Sequence, residues 1–522
     1  MSSLSKSAAT VASGTLISRV LGAIRDAVVA ATFTVHATDA FFIAFTIPNS
    51  LRVLLGEGAV SAAFVPVLAD IRETRREDYQ KVFRALAGMM GLILFATTAL
   101  GMIFSPELVT LYAAGYLAKP EQFHLTVTLT RLVFPYVFLV GMSALLTASL
   151  NTLGKFALPS LSPVWLNVAL IIGALTLPAF FAHAGMPTIL ALAVGVWVGG
   201  LLQIVSQLPT LHRQKLLGTP QLDWKEPAVK KALRLLVPLL AGLGVYQLNV
   251  MGSRLFASFL AEGSQSFLYY SQRLVEIPQG MIALAISSAA LPTLAQQRSR
   301  GEHGESAATL KEALRLCLFF TLPATAFLMA FGYPTVSVLL GRGNFDPSYV
   351  EQTARALFWQ AAGIWSIATI RTLVPAFHAH NDTRSPVLGS VANLIVFITS
   401  AWWLMKFMQH AGIALAISLA GLAQLGTMLV LLRKHPMHAA FRGLGKSTLR
   451  MALSSSVMAA FLWAASRSMA WTHAGTRPGA MIAYVLISLV GLAIYFALSW
   501  IMGSPEMHSV LRAIGRKRRV PP

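Results

Sequence analysis

The chain has 522 residues, 56% of them hydrophobic and only 12% charged, with 41 Lys and Arg against 20 Asp and Glu for a net charge of +21; its mean hydropathy is +0.65. Soluble domains carry roughly 25% charged residues, so the composition excludes an ordinary soluble protein, and the positive charge has to be sorted by position before nucleic acid can be named as a partner. The one cysteine, Cys317, lies in the apolar run LCLFFTLPATAFLMAF, which excludes a disulfide framework and a Cys-based zinc site and reads as a small core hydrophobe.

A hydrocarbon core of about 30 Å takes roughly 20 apolar residues per helix. Fourteen stretches meet that criterion, near 9–33, 38–56, 84–104, 125–150, 159–182, 186–209, 233–260, 264–293, 313–332, 350–378, 386–408, 411–432, 449–467 and 479–502. The fold class is therefore an all-α polytopic membrane protein with 14 transmembrane helices. The first stretch is interrupted by Arg19 and Arg25 and has no small-residue cleavage pattern, so the N-terminus reads as mature sequence rather than a removed signal. Pro48, Pro135, Pro278, Pro323 and Gly363 fall inside spans, where neighbouring helices can satisfy the freed backbone groups.

Taking the N-terminus as cytoplasmic, 28 of the 41 basic residues fall on that side, including Arg72–Arg84, Arg213–Arg234, Arg298–Arg315, Arg433–Arg450 and the tail Arg512–Arg519, and five fall opposite: Lys119, Arg342, Lys406, Arg467 and Arg477. This asymmetry follows the positive-inside rule and places both termini in the cytoplasm. It accounts for most of the net charge with no nucleic acid partner. Eight basic residues remain within or at the rims of spans: Arg19, Arg25, Arg52, Arg131, Arg254, Arg273, Arg355 and Arg371.

Sliding the chain on itself shows weak similarity at an offset of about 224 to 230 residues. RLVFPYVFLVG from Arg131 resembles RALFWQAAGIW from Arg355, Asn167 falls opposite Asn393, Pro159 opposite Pro386, Ile47-Pro48-Asn49 opposite Ile277-Pro278-Gln279, and AFVPVL opposite AALPTL. Two six-helix lobes follow, related by a pseudo-twofold along the membrane normal with a substrate site between them. The domain reading is an N-lobe over 1–212, a cytoplasmic linker over 213–232, a C-lobe over 233–434, and two extra C-terminal helices with a basic tail over 435–522.

A charged residue at a helix centre costs roughly 2.5–3.5 kcal/mol on insertion scales and usually faces a water-filled path. The first two spans hold Arg19, Arg25, Asp26, Asp39, Arg52 and Glu57, and span 8 adds Arg273 and Glu276, whose spacing of three lets them pair directly. Arg19 and Arg25 differ by about 120° around the helix, and Arg19 also suits a snorkelling side chain. Arginine carries a rigid fork of donors that matches phosphate oxygens and stays protonated when partly buried, so these residues predict an anionic substrate, with phosphate or pyrophosphate fitting best. The acids Asp26, Asp39, Glu57 and Glu276 read as partners of the arginines and gate elements, with Glu57 in the break Gly56-Glu57-Gly58. Asn249, Asp382 and Asn393 form a candidate cation site. His378 and His380 near Asp382 lack a further ligand, so no metal site is expected. No GxxxxGK[ST], HExxH or nucleophile elbow is present, which argues against ATP-driven transport within the chain and against a membrane hydrolase; no catalytic residue and no cofactor are assigned.

The stretches SRVLGAIRD at 18–26, TDAFFIAFTIPNSLRVLLGEGAVSAAFVP at 38–66 and YYSQRLVEIPQG at 269–280 strongly resemble the MurJ (MviN) family of lipid II flippases, within the multidrug/oligosaccharidyl-lipid/polysaccharide exporter superfamily and its MATE-like fold. The resemblance covers essentially the whole chain. It implies that Arg19, Arg25, Arg52 and Arg273 engage the lipid II pyrophosphate, that Asp39 is functionally important, that Glu57 belongs to the gate region, and that spans 13 and 14 form a groove for the undecaprenyl tail. Many relatives carry Asp where this chain has Gln272, which alters the charge around Arg273. Some relatives bind sodium with acidic ligands near span 7, where Asn249 offers no carboxylate.

These readings imply alternating access in the bacterial cytoplasmic (inner) membrane: lipid II, the undecaprenyl-pyrophosphate-linked disaccharide-pentapeptide, moves from the inner to the outer leaflet for cell-wall synthesis. Membrane potential or a monovalent cation stands as the coupling force, and membrane lipid and the cell-wall synthesis machinery as further contacts. A flippase for another polyprenyl-pyrophosphate glycan would need the same arginines. A cation-coupled drug exporter is disfavoured by the basic residues, and a scaffold for wall-synthesis enzymes would leave them dispensable.

Overall fold

The computed structural model describes residues 3–53, 59–433 and 436–507, which form helices and short connections with no strand among the described residues. Contacts divide the chain into two bodies, Met1–Ser266 and Phe267–Pro522.

The first body contains α1 (Ser3–Thr32), α2 (Val35–Arg52), α3 (Ala59–Thr74), α4 (Tyr79–Ile103), α5 (Ser105–Ala113), α6 (Pro120–Val133), α7 (Tyr136–Thr152), α8 (Ala157–Thr176), α9 (Pro178–His183), α10 (Leu190–Val205), α11 (Leu208–Arg213) and α12 (Pro227–Ser258). Proline sets several of the starts. Pro120, Pro178 and Pro227 each stand in a first turn, where the missing N–H is no loss. The break between α6 and α7 falls at Phe134-Pro135, because a proline ring cannot continue the helical hydrogen-bond ladder. The core of this body joins α3, α4 and α7 through Phe64, Leu68, Leu86, Met90, Val137 and Leu145, all at most 2% exposed. Helix α12 packs on α3, α4 and α5 and so belongs to this body.

Helix α13 (Ser264–Pro278) starts at the boundary and leads into the second body. There follow α14 (Leu284–Ser299), α15 (His303–Ala330), α16 (Gly332–Leu340), α17 (Pro347–Ala361), α18 (Ile364–Ala379), α19 (Arg384–Met408), α20 (His410–Leu432), α21 (Leu444–Ser468) and α22 (Pro478–Ile501). The stretch read as a single span over 264–293 is in fact two helices with a π-helical turn, Gln279–Ala283, between them; Pro278 ends the regular ladder there. Asp346 caps α17 by accepting from the Ser348 and Tyr349 amides at 2.8 and 3.1 Å. The two C-terminal helices pack through α21 against α15, around Phe319, Phe331, Trp471 and Tyr495, and the Tyr495 hydroxyl donates to the Phe319 carbonyl at 2.6 Å.

The internal repeat is visible in the order of the elements. The α6–α7 break at Pro135 has its counterpart in the α17–α18 break at Gly363, 228 residues later. Helices α3 and α14, α4 and α15, and the short α5 and α16 correspond in the same way. Each body also pairs its helices alike: α8 with α10 as α19 with α20, α4 with α7 as α15 with α18, and α3 with α7 as α14 with α18. Gly363 lets α20 come close to the α17–α18 break, since a Cβ there would lie 2.7 Å from the Ser418 hydroxyl of α20.

Nine helical stretches among the described residues are long and apolar enough to cross a membrane. The other predicted spans fall on α1, α2, α12, α13–α14 and α17–α18, which are broken by Pro or Gly or carry the membrane-embedded charges.

Candidate functional site

In the first body the site is built on α1. Gly14, Ser18 and Gly22 recur every four residues, a small-residue stripe that brings α1 against α8. A Cβ at Gly14 would stand 2.8 Å from the Ser160 carbonyl oxygen, so the helices meet backbone to backbone. That approach delivers Asn167 of α8 to the next turn of α1, where its Nδ2 donates to the Ser18 carbonyl at 3.0 Å. Arg25 and Asp26, 8% and 7% exposed, occupy the same junction. The guanidinium donates through Nε and Nη2 to Asp26 Oδ1, at 3.0 and 2.6 Å, and through Nη1 to Asn167 Oδ1 at 3.0 Å. Three of its donors are thus fixed in one plane on two acceptors, the geometry in which arginine is most directional. Sequence reasoning used Asn167 only as a marker of the repeat; its polarity inside an otherwise apolar span was the available signal for a partner of Arg25.

Arg19, on a different face of α1, is half-buried and has no hydrogen-bond or ion-pair partner among the described residues. Arg52, in the last turn of α2, donates from Nε to Asn49 Oδ1 at 2.8 Å. Glu57 and the Gly56-Glu57-Gly58 break lie outside the described residues.

Asp39 sits at the opposite end of α2 and is 3% exposed. It pairs with no arginine among the described residues. Its carboxylate accepts from the Gly263 amide at 2.7 Å, the Ser266 amide at 2.8 Å and the Ser266 hydroxyl at 2.6 Å. A carboxylate here takes the place of a capping side chain for the first turn of α13, where orphan N–H groups point outward. The Thr38 and Ser266 hydroxyls are also bonded, at 2.8 Å. Three further ties hold the same end: Lys119 Nζ donates to the Leu260 carbonyl at 2.9 Å, the Gly115 amide to Ser258 Oγ at 3.0 Å, and Arg254 Nη1 to the Gln265 carbonyl at 3.2 Å. The α12–α13 connection is thereby fastened to α2 and to the α5–α6 turn.

In the second body, Arg273 and Glu276 pair at 3.1 Å along α13, as their spacing predicts. Arg273 Nη2 also donates to Tyr269 Oη at 3.2 Å, and the guanidinium lies 5.1 Å from the centroid of the Tyr269 ring, within cation–π range. Gln272 stands between Glu276, to which its Nε2 donates at 3.3 Å, and Gln360 of α17, whose Nε2 donates to its Oε1 at 3.3 Å.

Of the candidate cation site, Asp382 and Asn393 stand apart within the second body. Asp382 caps α19, accepting from the Ser385 amide at 2.9 Å and hydroxyl at 2.6 Å. Asn393 lies eleven residues further on, roughly 16 Å along the axis, and donates to Gln424 of α20 at 3.1 Å. Asn249 is on α12 in the first body. His380 is bonded through Nδ1 to the Ala376 carbonyl at 3.0 Å, and no group of three or more His, Cys, Asp and Glu with metal-site geometry occurs among the described residues.

Residues 28–502 match the family model of the lipid II flippase MurJ. A probable lipid II flippase MurJ of Vibrio cholerae is 36% identical over 519 residues, covering 96% of both chains. The lipid II flippase MurJ of Burkholderia cenocepacia is 32% identical over 501 residues, covering 95% of this chain and 96% of the relative. Among solved structures, an inward closed conformation of a lipid II flippase MurJ superposes with a TM-score of 0.77 at 25% identity, over 94% of this chain and 98% of the other. An inward-facing multidrug resistance MATE family transporter of the MOP superfamily shares the fold, with a TM-score of 0.66 at 13% identity over 81% of this chain and 96% of the other.

Proposed function

The chain belongs to the lipid II flippase MurJ family, and from that premise we propose how its residues move their substrate. It is a multi-span membrane transporter rather than an enzyme, and lipid II, not another polyprenyl-linked glycan or a cationic drug, is its substrate. In our reading the protein lies in the bacterial inner membrane with both termini cytoplasmic, an orientation that the distribution of Lys and Arg supports. Arg25 and Arg273 take the pyrophosphate, with Arg19 and Arg52 attracting it, while the undecaprenyl tail stays in lipid. Alternating access then exposes the headgroup on the outer side, where wall-synthesis enzymes consume it.

The observation that carries this reading is the planar fork of Arg25, buried in a helix whose neighbours approach it on small residues. A side chain held so that its donors converge on carboxylate and amide oxygens is built to exchange them for phosphate oxygens. Asp39 serves as a pin that ties α2 to the start of α13. An inside-negative potential of 100 mV favours outward movement of each net negative charge by about 2.3 kcal/mol, and we propose the potential, with or without a monovalent cation, as the driving force.

Depleting the protein from growing cells and adding a pyrophosphate-cleaving enzyme outside the inner membrane tests the proposal. Lipid II is expected to become protected, and wild type but not Arg25→Ala or Arg273→Ala is expected to restore cleavage. Cells that grow and expose lipid II normally with either variant would show that arginine to be structural.

A further inference from the structure

The side chains around Arg273 form a chain whose direction is dictated at one end. Glu276 is an acceptor when ionised, so Gln272 must present its Nε2 to it, at 3.3 Å. The Gln272 carbonyl then faces Gln360 and can only accept, and Gln360 donates its Nε2, at 3.3 Å. The cost appears at the far end: Gln360 is 2% exposed, and its Oε1 has no hydrogen-bond partner among the described residues. A buried amide oxygen left unused is unfavourable, so local stability alone does not explain a glutamine at this place. Its donor end fits a different task, since it anchors Gln272 to α17 and, through it, one oxygen of Glu276, while the other oxygen receives Arg273 at 3.1 Å.

We propose that Gln272 and Gln360 are positioning residues for Arg273: the relay from α17 fixes the Glu276 carboxylate, and the carboxylate aims the guanidinium, held also at the Tyr269 hydroxyl, toward incoming pyrophosphate. The relay is made of two neutral amides, so it orients Glu276 without adding a second negative charge beside the arginine. This inference rests on the reading that Arg273 engages the pyrophosphate.

The test uses the full chain in lipid nanodiscs with undecaprenyl pyrophosphate as probe. Gln272→Leu and Gln360→Leu are expected to raise the Kd about fivefold to tenfold, the effect of one ordinary hydrogen bond. Each change is repeated in an Arg273→Ala background, where residues that act through Arg273 have nothing left to position and the further loss should vanish. Thermal unfolding of each variant reports folding, and Gln272→Leu, at a half-buried position, carries the test should Gln360→Leu fail to fold. Losses that simply add to that of Arg273→Ala, or wild-type affinity in Gln272→Leu while Arg273→Ala is weakened, would overturn the positioning role alone. Wild-type affinity in Arg273→Ala itself would overturn both this inference and the reading beneath it.

Discussion

Replacing Asp39 with asparagine removes one charge and almost no volume, and its consequence follows from three distances. The carboxylate accepts from the Ser266 amide and hydroxyl through one oxygen, at 2.8 and 2.6 Å, and from the Gly263 amide through the other, at 2.7 Å. Asparagine can keep its oxygen toward Ser266, but its Nδ2 then faces the Gly263 N–H donor to donor. One hydrogen bond to a charged acceptor is lost at a buried site, worth about 2 kcal/mol, so release of the start of α13 from α2 becomes about 30-fold more favourable. Cys317 is the chain's one cysteine and is 0% exposed, so an introduced thiol can be followed against a quiet background. Ser264, 2% exposed at the start of α13, accepts a cysteine of nearly its own shape. Labelling of Ser264→Cys by a membrane-impermeant maleimide should accelerate more than tenfold when Asp39→Asn is added. An unchanged labelling rate in the correctly folded double variant would refute the pin, because the bonds around Asp39 would then contribute nothing to holding the start of α13 against α2.

Two further outcomes follow from the geometry. Arg25→Lys keeps the charge but cannot span Asp26 Oδ1 and Asn167 Oδ1 together, so it should insert normally and still lose most flipping activity, read by the outside-cleavage assay; full activity would mean charge alone suffices. At Glu506, 2% exposed, burial pushes the carboxyl up, but hydrogen bonds from Ser447 and Ser504 and the Arg315 guanidinium outweigh it and hold it below the usual carboxylate range. A depressed folded-state value gives stability that is present at neutral pH and lost as pH falls through it, so Glu506→Gln should cost about 2 kcal/mol at pH 7 and show a Tm gap to wild type that closes under acid; a gap independent of pH would contradict this.

Helix positions were readable because apolar length in a bilayer admits few alternatives. The repeat was readable from side chains spaced near 228 residues, and its breaks recur at Pro135 and Gly363. Short helices were not: α5 and α16, of nine residues each, fall below any span criterion and are held by neighbours. At the site, Arg273–Glu276 followed from spacing within one helix, whereas Asn167 meets Arg25 only through the approach of α1 to α8, a tertiary event that no local pattern encodes. Asp39 shows the limit most clearly. Its charge suggested an arginine partner, but the donors that satisfy it are two backbone amides and a serine hydroxyl more than 220 residues away, which no local pattern advertises.

Arg25 and Asp26 are neighbours in the chain as well as in space. Each alone would cost roughly 2.5–3.5 kcal/mol near the centre of an inserting helix, but a pair one residue apart can neutralise itself while α1 is still a single helix entering the bilayer. Asn167 is made 142 residues later and can add its oxygen only after α8 has docked. The order of synthesis therefore lets the membrane accept the arginine first as half of a neutral unit, and the tertiary fold then aims it. Moving the acid away from position 26 would place the burden on biogenesis, seen as less inserted protein, before it was ever felt in transport.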